Sequence, residues 1–190
     1  LNKKLGAFYT PREIVHYMTK ESLIAYLVNN LKWKKEENEE KIRKLFDFKE
    51  QFLVTKWEIT ESVFDKLANI ITEVDELLKK VKVLDPAIGS GAFPMWLLHE
   101  ISSIRYYIYW VFYETFGMNT ADFKNESGKV SMYKIKRDVI QNNIYWVDIS
   151  AGAIDIARLR FWLSLVVDEE TPEPLPNFEF KFVCANTLIP

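Results

Sequence analysis

The sequence predicts an α/β protein: a parallel sheet flanked by helices, with a helical region ahead of it. Three observations carry that prediction. Three short runs, residues 81–85, 143–149 and 178–184, are rich in β-branched and aromatic residues. The segments before and between them repeat apolar residues at helical spacing. The first run ends in an acid, and Pro86-Ala-Ile-Gly-Ser-Gly91 then leads into a helical pattern. Strand, tight turn and helix in that order form the first half of a nucleotide-binding α/β unit.

The bulk numbers narrow the function. The chain has 190 residues, which suits one domain, and 48% of them are hydrophobic, enough for a sizeable core. With 25 basic and 27 acidic residues the net charge is −2, so no global basic field announces nucleic acid. If DNA is the substrate, most phosphate contacts lie outside this chain. The single cysteine, Cys184, excludes an internal disulfide framework and fits a reducing compartment, which makes the cytoplasm the expected location. No apolar run approaches the ~18 residues of a membrane span, and no signal peptide is visible. Asn125-Glu-Ser127 matches a glycosylation sequon by chance in that setting. The chain opens on Leu1 and stops at Leu188-Ile-Pro190, which gives it the look of a piece cut from something larger.

The elements follow in order. Thr10-Pro11-Arg12-Glu13 reads as a helix start, with Thr10 as N-cap, Pro11 at the first helical position and Glu13 closing a capping box. Ile14, Tyr17, Met18, Leu23 and Leu27 give that helix a stripe to about Asn30. The free N–H groups at its start suit an anion such as a carboxylate. Residues 32–56 form a charged helical stretch with a thin apolar face of Trp33, Ile42, Leu45, Phe46 and Phe52. Acids alternate with bases there, the pattern of a solvated face. A second amphipathic helix spans about 60–80 and ends in Lys79-Lys80, which suits the negative end of its dipole.

Residues 81–85 are apolar on both faces, as a buried parallel strand requires. In the turn that follows, Gly89 and Gly91 allow left-handed backbone and close approach of a ligand. Pro94 suits the first turn of the next helix, which runs to about Tyr113. His99 lies off that helix's apolar stripe and reads as a packing or surface residue. Ser90 sits between two glycines but outside a nucleophile-elbow pattern. Residues 114–141 are polar, with turn signals at Gly117, Asn119 and Gly128, and read as a connector or lid with room for one short helix. The second strand, 143–149, puts Asp148 at its C-terminal end, where parallel sheets bind ligands. A carboxylate there either accepts from the two hydroxyls of a ribose or bonds to nearby backbone. Ser150 caps a helix over about 151–167. Arg158 and Arg160 read as surface or ion-pairing residues. Pro172, Pro174 and Pro176 make an extended linker, and the third strand ends at Ala185-Asn186-Thr187. The Asn186 amide matches the donor and acceptor edge of an adenine, although asparagine is also common in a plain turn.

Taken together, Gly89/Gly91, Asp148 and Asn186 follow three successive strands, whose ends line up along one rim of a right-handed parallel sheet. That suits one extended nucleoside ligand. Against a nicotinamide cofactor, Pro94 replaces the third small residue of G-x-G-x-x-G, and no strand-ending acid lies about 20 residues beyond the turn.

Four segments resemble the N-terminal part of the catalytic domain of adenine-specific (N6) DNA methyltransferases. They are Gly6-Ala-Phe-Tyr-Thr-Pro11, Asp85 to Phe93, Asn143 to Ile149 with Arg158-Leu-Arg-Phe-Trp-Leu-Ser-Leu165, and Pro174-Leu-Pro-Asn177 through Asn186. The nearest subgroup is that of large single-chain type IIG restriction–modification and phage-defence enzymes. The resemblance implies an incomplete Rossmann-like fold, with residues 1–80 as an N-terminal helical region and 81–190 as the first part of the methyltransferase domain. It implies S-adenosyl-L-methionine as cofactor, duplex DNA as substrate of a longer parent, and the remainder of that parent as partner. It also implies residue roles. Thr10 and the Phe8-Tyr9 backbone lie near the methionine end; Asp85, Ala87, Gly89 and Gly91 wrap the cofactor. Asp148 binds ribose, Ile149 packs on the adenine and Asn186 meets its edge. No metal site is implied.

Three positions depart from the family pattern. Ile88 replaces a frequent Cys, Asn186 replaces a frequent Asp, and Trp146 stands where Gly is usual, a ring large enough to crowd the sheet or lid. The Asn/Asp-Pro-Pro-Tyr/Phe segment that receives the flipped adenine is not among these residues, so no catalytic residue is assigned. The expectation is a cofactor-binding piece of a site-specific methyltransferase, inactive alone. The rivals are a nicotinamide enzyme and a non-catalytic binding or assembly module with its site blocked by Trp146.

Overall fold

The structure, a computed structural model, describes residues 10–32, 35–55, 61–110, 123–168 and 181–189. The Phe8-Tyr9, Trp33, Gly117, Asn119 and proline-linker expectations lie outside the described residues.

The helices α1 (Arg12–Asn30), α2 (Lys35–Thr55) and α3 (Glu61–Lys80) precede strand β1 (Val83–Asp85). Helices α4 (Ala92–Tyr107) and α5 (Met132–Asn142) lead to β2 (Ile144–Asp148), and α6 (Ala151–Val166) precedes β3 (Phe182–Cys184). The sheet is three-stranded and parallel in the order β1-β2-β3. Its register pairs Val83 with Ile144 and Asp85 with Trp146, then Trp146 with Phe182 and Asp148 with Cys184. The α/β expectation with a helix-flanked parallel sheet therefore holds.

One hydrophobic cluster runs from Leu23 on α1 through Leu45 and Phe46 on α2, Val74 on α3 and Ile101 on α4 to Trp146 and Phe182. The Trp146 ring is fully buried, stacked 4.3 Å from Phe161 and edge-on to Phe182 at 4.3 Å. It lies under α6, inside the core. Crowding at the rim, the basis of the blocked-module reading, is not what this ring does. Side chains alternate across a strand, so Leu84, Tyr145 and Val183 share the opposite sheet face. There Leu84 is 61% and Val183 40% exposed.

Asn143 joins the sheet to the helical region. Its buried amide donates to the carbonyls of Leu78 (2.8 Å) and Val81 (2.8 Å), and its own carbonyl accepts from Val83 N–H (2.8 Å). One side chain thus satisfies an orphan carbonyl at the end of α3 and sets where β1 begins.

Several expectations change. Thr10 does not cap α1: Pro11 occupies the cap position without a side-chain bond, and its carbonyl accepts from Ile14 and Val15 N–H. The buried face of α1 is Val15, Thr19, Leu23, Ile24, Leu27 and Val28, whereas Ile14, Tyr17 and Met18 are exposed. Thr19 enters the core because its hydroxyl donates to the carbonyls of Val15 and His16, both at 2.9 Å. The polar connector ends in a core helix, α5, capped by Ser131 and burying Tyr133, Ile135, Val139 and Ile140. The charged stretch is not simply solvated: Ile42, Leu45 and Phe46 are fully buried, and so is Lys49. Its ammonium meets the buried carboxylate of Glu100 at 2.8 Å, and His16 reaches the other Glu100 oxygen at 3.3 Å.

Candidate functional site

The three strand ends meet on one rim. β1 delivers Asp85, whose Oδ1 accepts from Ala87 N–H at 3.1 Å and so turns the chain immediately after the strand. Ile88 N–H then reaches across to Val147 O of β2 at 3.1 Å. Gly89 and Gly91 adopt φ of +53° and +86°, the left-handed region in which a Cβ is strained. Nothing lies within 4 Å of where a Cβ on Gly89 would project, so that face of the turn is open to a ligand. Gly91 is different: its missing Cβ would sit 3.5 Å from Ala157 of α6. The first glycine leaves its face open to the outside, and the second lies in ordinary contact distance of α6.

β2 delivers Asp148. Its Oδ2 accepts from Gly89 N–H at 2.8 Å and its Oδ1 from Ser150 N–H at 2.8 Å. The strand-end acid and the glycine turn therefore touch, across 59 positions of sequence. An ionised carboxylate offers about four lone-pair sites. Two backbone donors leave roughly half of that capacity for a ligand. The next residue, Ile149, is 73% exposed, an aliphatic surface beside the carboxylate.

β3 brings in the third turn. Ala185 N–H donates to Asp148 O at 2.9 Å, and Thr187 Oγ1 donates to Pro86 O at 3.2 Å, so this turn is tied to both neighbours. Asn186 is half-buried between those two contacts. Its Oδ1 accepts from Leu188 N–H at 3.0 Å, the turn-forming role that asparagine commonly plays. The NH2 group is the part of that amide left to face a ligand.

Burial holds the Asp85 carboxyl above the usual carboxylate range, and the Asp148 charge pushes it the same way. Two acids within electrostatic reach of each other make the rim a place that favours a cation.

The structure thus brings Asp85, Ala87, Gly89, Asp148, Ile149 and Asn186 together on one edge, with Gly91 behind them. Thr10 is exposed and immediately precedes α1. The first turns of α1 lie along α4: the Arg12 guanidinium sits 5.3 Å from the Trp96 ring, and the His16 ring lies tilted against it at 4.7 Å. The start of α1 therefore runs beside the helix that begins at the glycine turn. No contact in the structure ties the Thr10 side chain to the turn itself.

Two residues at the rim escaped sequence reasoning. Thr187 carried no signal beyond its turn. Arg160, expected as a surface or ion-pairing residue, is exposed, and its Nη1 also donates to Ser90 O at 2.8 Å. Among the described residues, no group of three or more His, Cys, Asp or Glu is placed to hold a metal ion. Nor is any described helix long and apolar enough to cross a membrane.

A nucleoside cofactor can be tested against these residues. The open glycine face, a carboxylate with spare acceptor sites, an exposed aliphatic residue and a half-buried amide follow one another along the rim. They match, in that order, a backbone-approaching chain, a ribose, a flat base and its polar edge.

Comparison with known proteins adds a relationship. Over 98% of its length the chain is 31% identical to part of a Methanocaldococcus jannaschii protein named as a candidate type II restriction enzyme and methyltransferase. The chain spans 15% of that relative's length. No protein-family model matches the chain, and no solved structure matches it. The sequence relationship is thus to one part of a much longer protein named for both restriction and methylation.

Proposed function

We propose that the chain is the S-adenosyl-L-methionine-binding part of a site-specific DNA adenine-N6 methyltransferase of a restriction–modification system. The observation that carries the reading is the hydrogen bond from Gly89 N–H to the Asp148 carboxylate, which joins the glycine turn to the strand-end acid. The relationship to a protein named for restriction and methylation supports the same reading.

Each rim residue then has a task. The cofactor, when bound, supplies an activated methyl group on a cationic sulfur. Asp148, already oriented by two backbone N–H groups, accepts from the ribose hydroxyls with its remaining lone pairs. Ile149 covers one face of the adenine ring, and the Asn186 NH2 donates to a ring nitrogen at its edge. Gly89 and Ala87 let the methionyl part lie against the main chain. Thr10 and the start of α1 flank that end. The acids Asp85 and Asp148 favour the positive charge of the sulfonium. In this division residues 1–80 are an N-terminal helical region that flanks the methionyl end, and 81–190 are the first part of the methyltransferase domain, which carries the glycine turn, Asp148 and Asn186.

On this reading the pocket for the target adenine of the DNA, the groups that accept from its amine, and DNA recognition are supplied by a longer parent polypeptide. This chain by itself is expected to bind the cofactor weakly and to transfer no methyl group.

Tryptophan emission, followed while S-adenosylhomocysteine or NADH is titrated in, tests the reading. Saturable quenching by S-adenosylhomocysteine and none by NADH is expected. Tight NADH binding would overturn the proposal. In the parent, labelled methyl should appear on adenine N6 of duplex DNA; labelled cytosine would sink the adenine assignment.

A further inference from the structure

We propose that Arg160 is a positioning residue that locks the glycine turn into its ligand-ready shape. The inference rests on the cofactor reading above and goes beyond it by assigning a role to a residue given no part in holding the ligand.

Ser90 lies between two glycines that are both in the left-handed region, at φ +53° and +86°. Glycine visits positive and negative φ about equally, so sterics alone do not hold the Ser90–Gly91 peptide in one orientation. Hydrogen bonds must do so. Gly91 N–H donates to Ile88 O at 2.9 Å, which holds the nitrogen side of that peptide. The carbonyl side is held by Arg160, whose Nη1 donates to Ser90 O at 2.8 Å and lies 3.4 Å from Ser90 Oγ. A flip of this peptide would break both contacts at once.

Position on the helix explains how Arg160 gets there. Ala157, three residues earlier and on the same side of α6, is the residue that a Cβ on Gly91 would meet at 3.5 Å. Arg160 extends that contact by one turn. The same helix starts at Ser150, directly after Asp148 and Ile149, and Ser150 N–H donates to the Asp148 carboxylate. One rigid rod therefore carries the ribose-binding end at its N-terminus and the clamp on the glycine turn further along. The distance between the two halves of the site is set by α6, with Arg160 as its far fastening. A bond from a charged donor to a peptide carbonyl is of the stronger class, and its loss is expected to be felt at the turn.

Two measurements test this. Amide exchange in the 190-residue chain reads the turn without any ligand. Arg160→Met, which keeps the aliphatic stem and removes the donor, should lose protection at Gly91 while core amides such as Ile154 and Phe161 stay as protected as in the wild type. Arg160→Gln, which keeps a neutral donor, should recover most of it. Titration with S-adenosylhomocysteine in the longest available form of the polypeptide should then show affinity falling roughly tenfold in Arg160→Met and largely restored in Arg160→Gln and Arg160→Lys. Unchanged Gly91 protection in Arg160→Met would overturn the proposal. So would equal losses of affinity in the Met and Gln variants with normal binding in Lys, because that pattern marks a charge acting directly on the ligand. A wild-type polypeptide that takes no S-adenosylhomocysteine would instead sink the cofactor reading and leave the exchange result to decide the role of Arg160.

Discussion

The helical layer and the sheet rim use polar groups in opposite ways. In the helical layer they are sealed. Lys49 and Glu100 are 1% exposed each and face one another at 2.8 Å, with His16 on the remaining oxygen. Arg105, fully buried, donates to Asp138 at 2.5 Å and to the Tyr109 hydroxyl at 2.9 Å. At the rim they are partly spent. Asp148 accepts two bonds from backbone N–H groups and keeps acceptor sites, the Asn186 oxygen accepts from Leu188 N–H while its NH2 is kept, and Ile149 stands uncovered. A polar group closed on itself holds a structure together. One held in place with capacity to spare is available to a ligand.

The contrast can be broken most sharply at Glu100. Glu100→Ala leaves the Lys49 ammonium buried without its partner and should cost about 3–5 kcal/mol, read by urea unfolding. The matching change at the rim, Asp148→Asn, gives up one of two backbone N–H bonds and should cost less, about 1–2 kcal/mol. It should weaken S-adenosylhomocysteine binding by roughly ten- to a hundredfold, measured by calorimetry. Equal destabilisation by the two would erase the distinction.

Gly91 sits between the two regimes. Gly91→Ala meets only ordinary contact at Ala157, so its cost comes from the backbone and should be about 1–2 kcal/mol. Asp85 sharpens the comparison through pH. Because burial raises its carboxyl in the folded state, the folded chain holds that proton more tightly than the unfolded chain. Its contribution to stability is therefore present at low pH and is lost as pH rises through the folded value. Asp85→Asn should accordingly gain melting temperature over the wild type near neutral pH, and the gain should shrink below about pH 4. The smallest effect is expected at Thr10. Its side chain makes no cap bond, so Thr10→Ala should fall short of the ~1 kcal/mol that a true N-cap loses, as thermal melts would show.

What could be read in the sequence depended on the reach of the signal. The strands and the glycine turn were legible because each is written within about ten residues: a β-branched run, an acid, two glycines. Helix α5 was legible only as one short helix in a polar connector, because Lys134, Lys136, Arg137 and Asp138 mask its buried Tyr133, Ile135, Val139 and Ile140. The face of α1 was only partly legible. Thr19 hides its hydroxyl on the backbone and enters the core, while Ile14, Tyr17 and Met18 stay out. Lys49 and Glu100 are 51 positions apart, and periodicity is blind at that range. At the site, the convergence of three turns followed from topology. The fastenings between them, Thr187 to Pro86 and Arg160 to Ser90, are single contacts with no local pattern.

The outer border of β1 has a practical consequence. Val83 N–H bonds to Asn143 O, so in a parallel ladder the peptide groups of Leu84 point the other way, and no described residue pairs with them. The Leu84 side chain is 61% exposed beside them. Such an unfinished selvedge accepts a foreign strand as readily as a native one. Stock solutions of the isolated polypeptide should sediment as larger species when concentrated, and Leu84→Lys should keep them small.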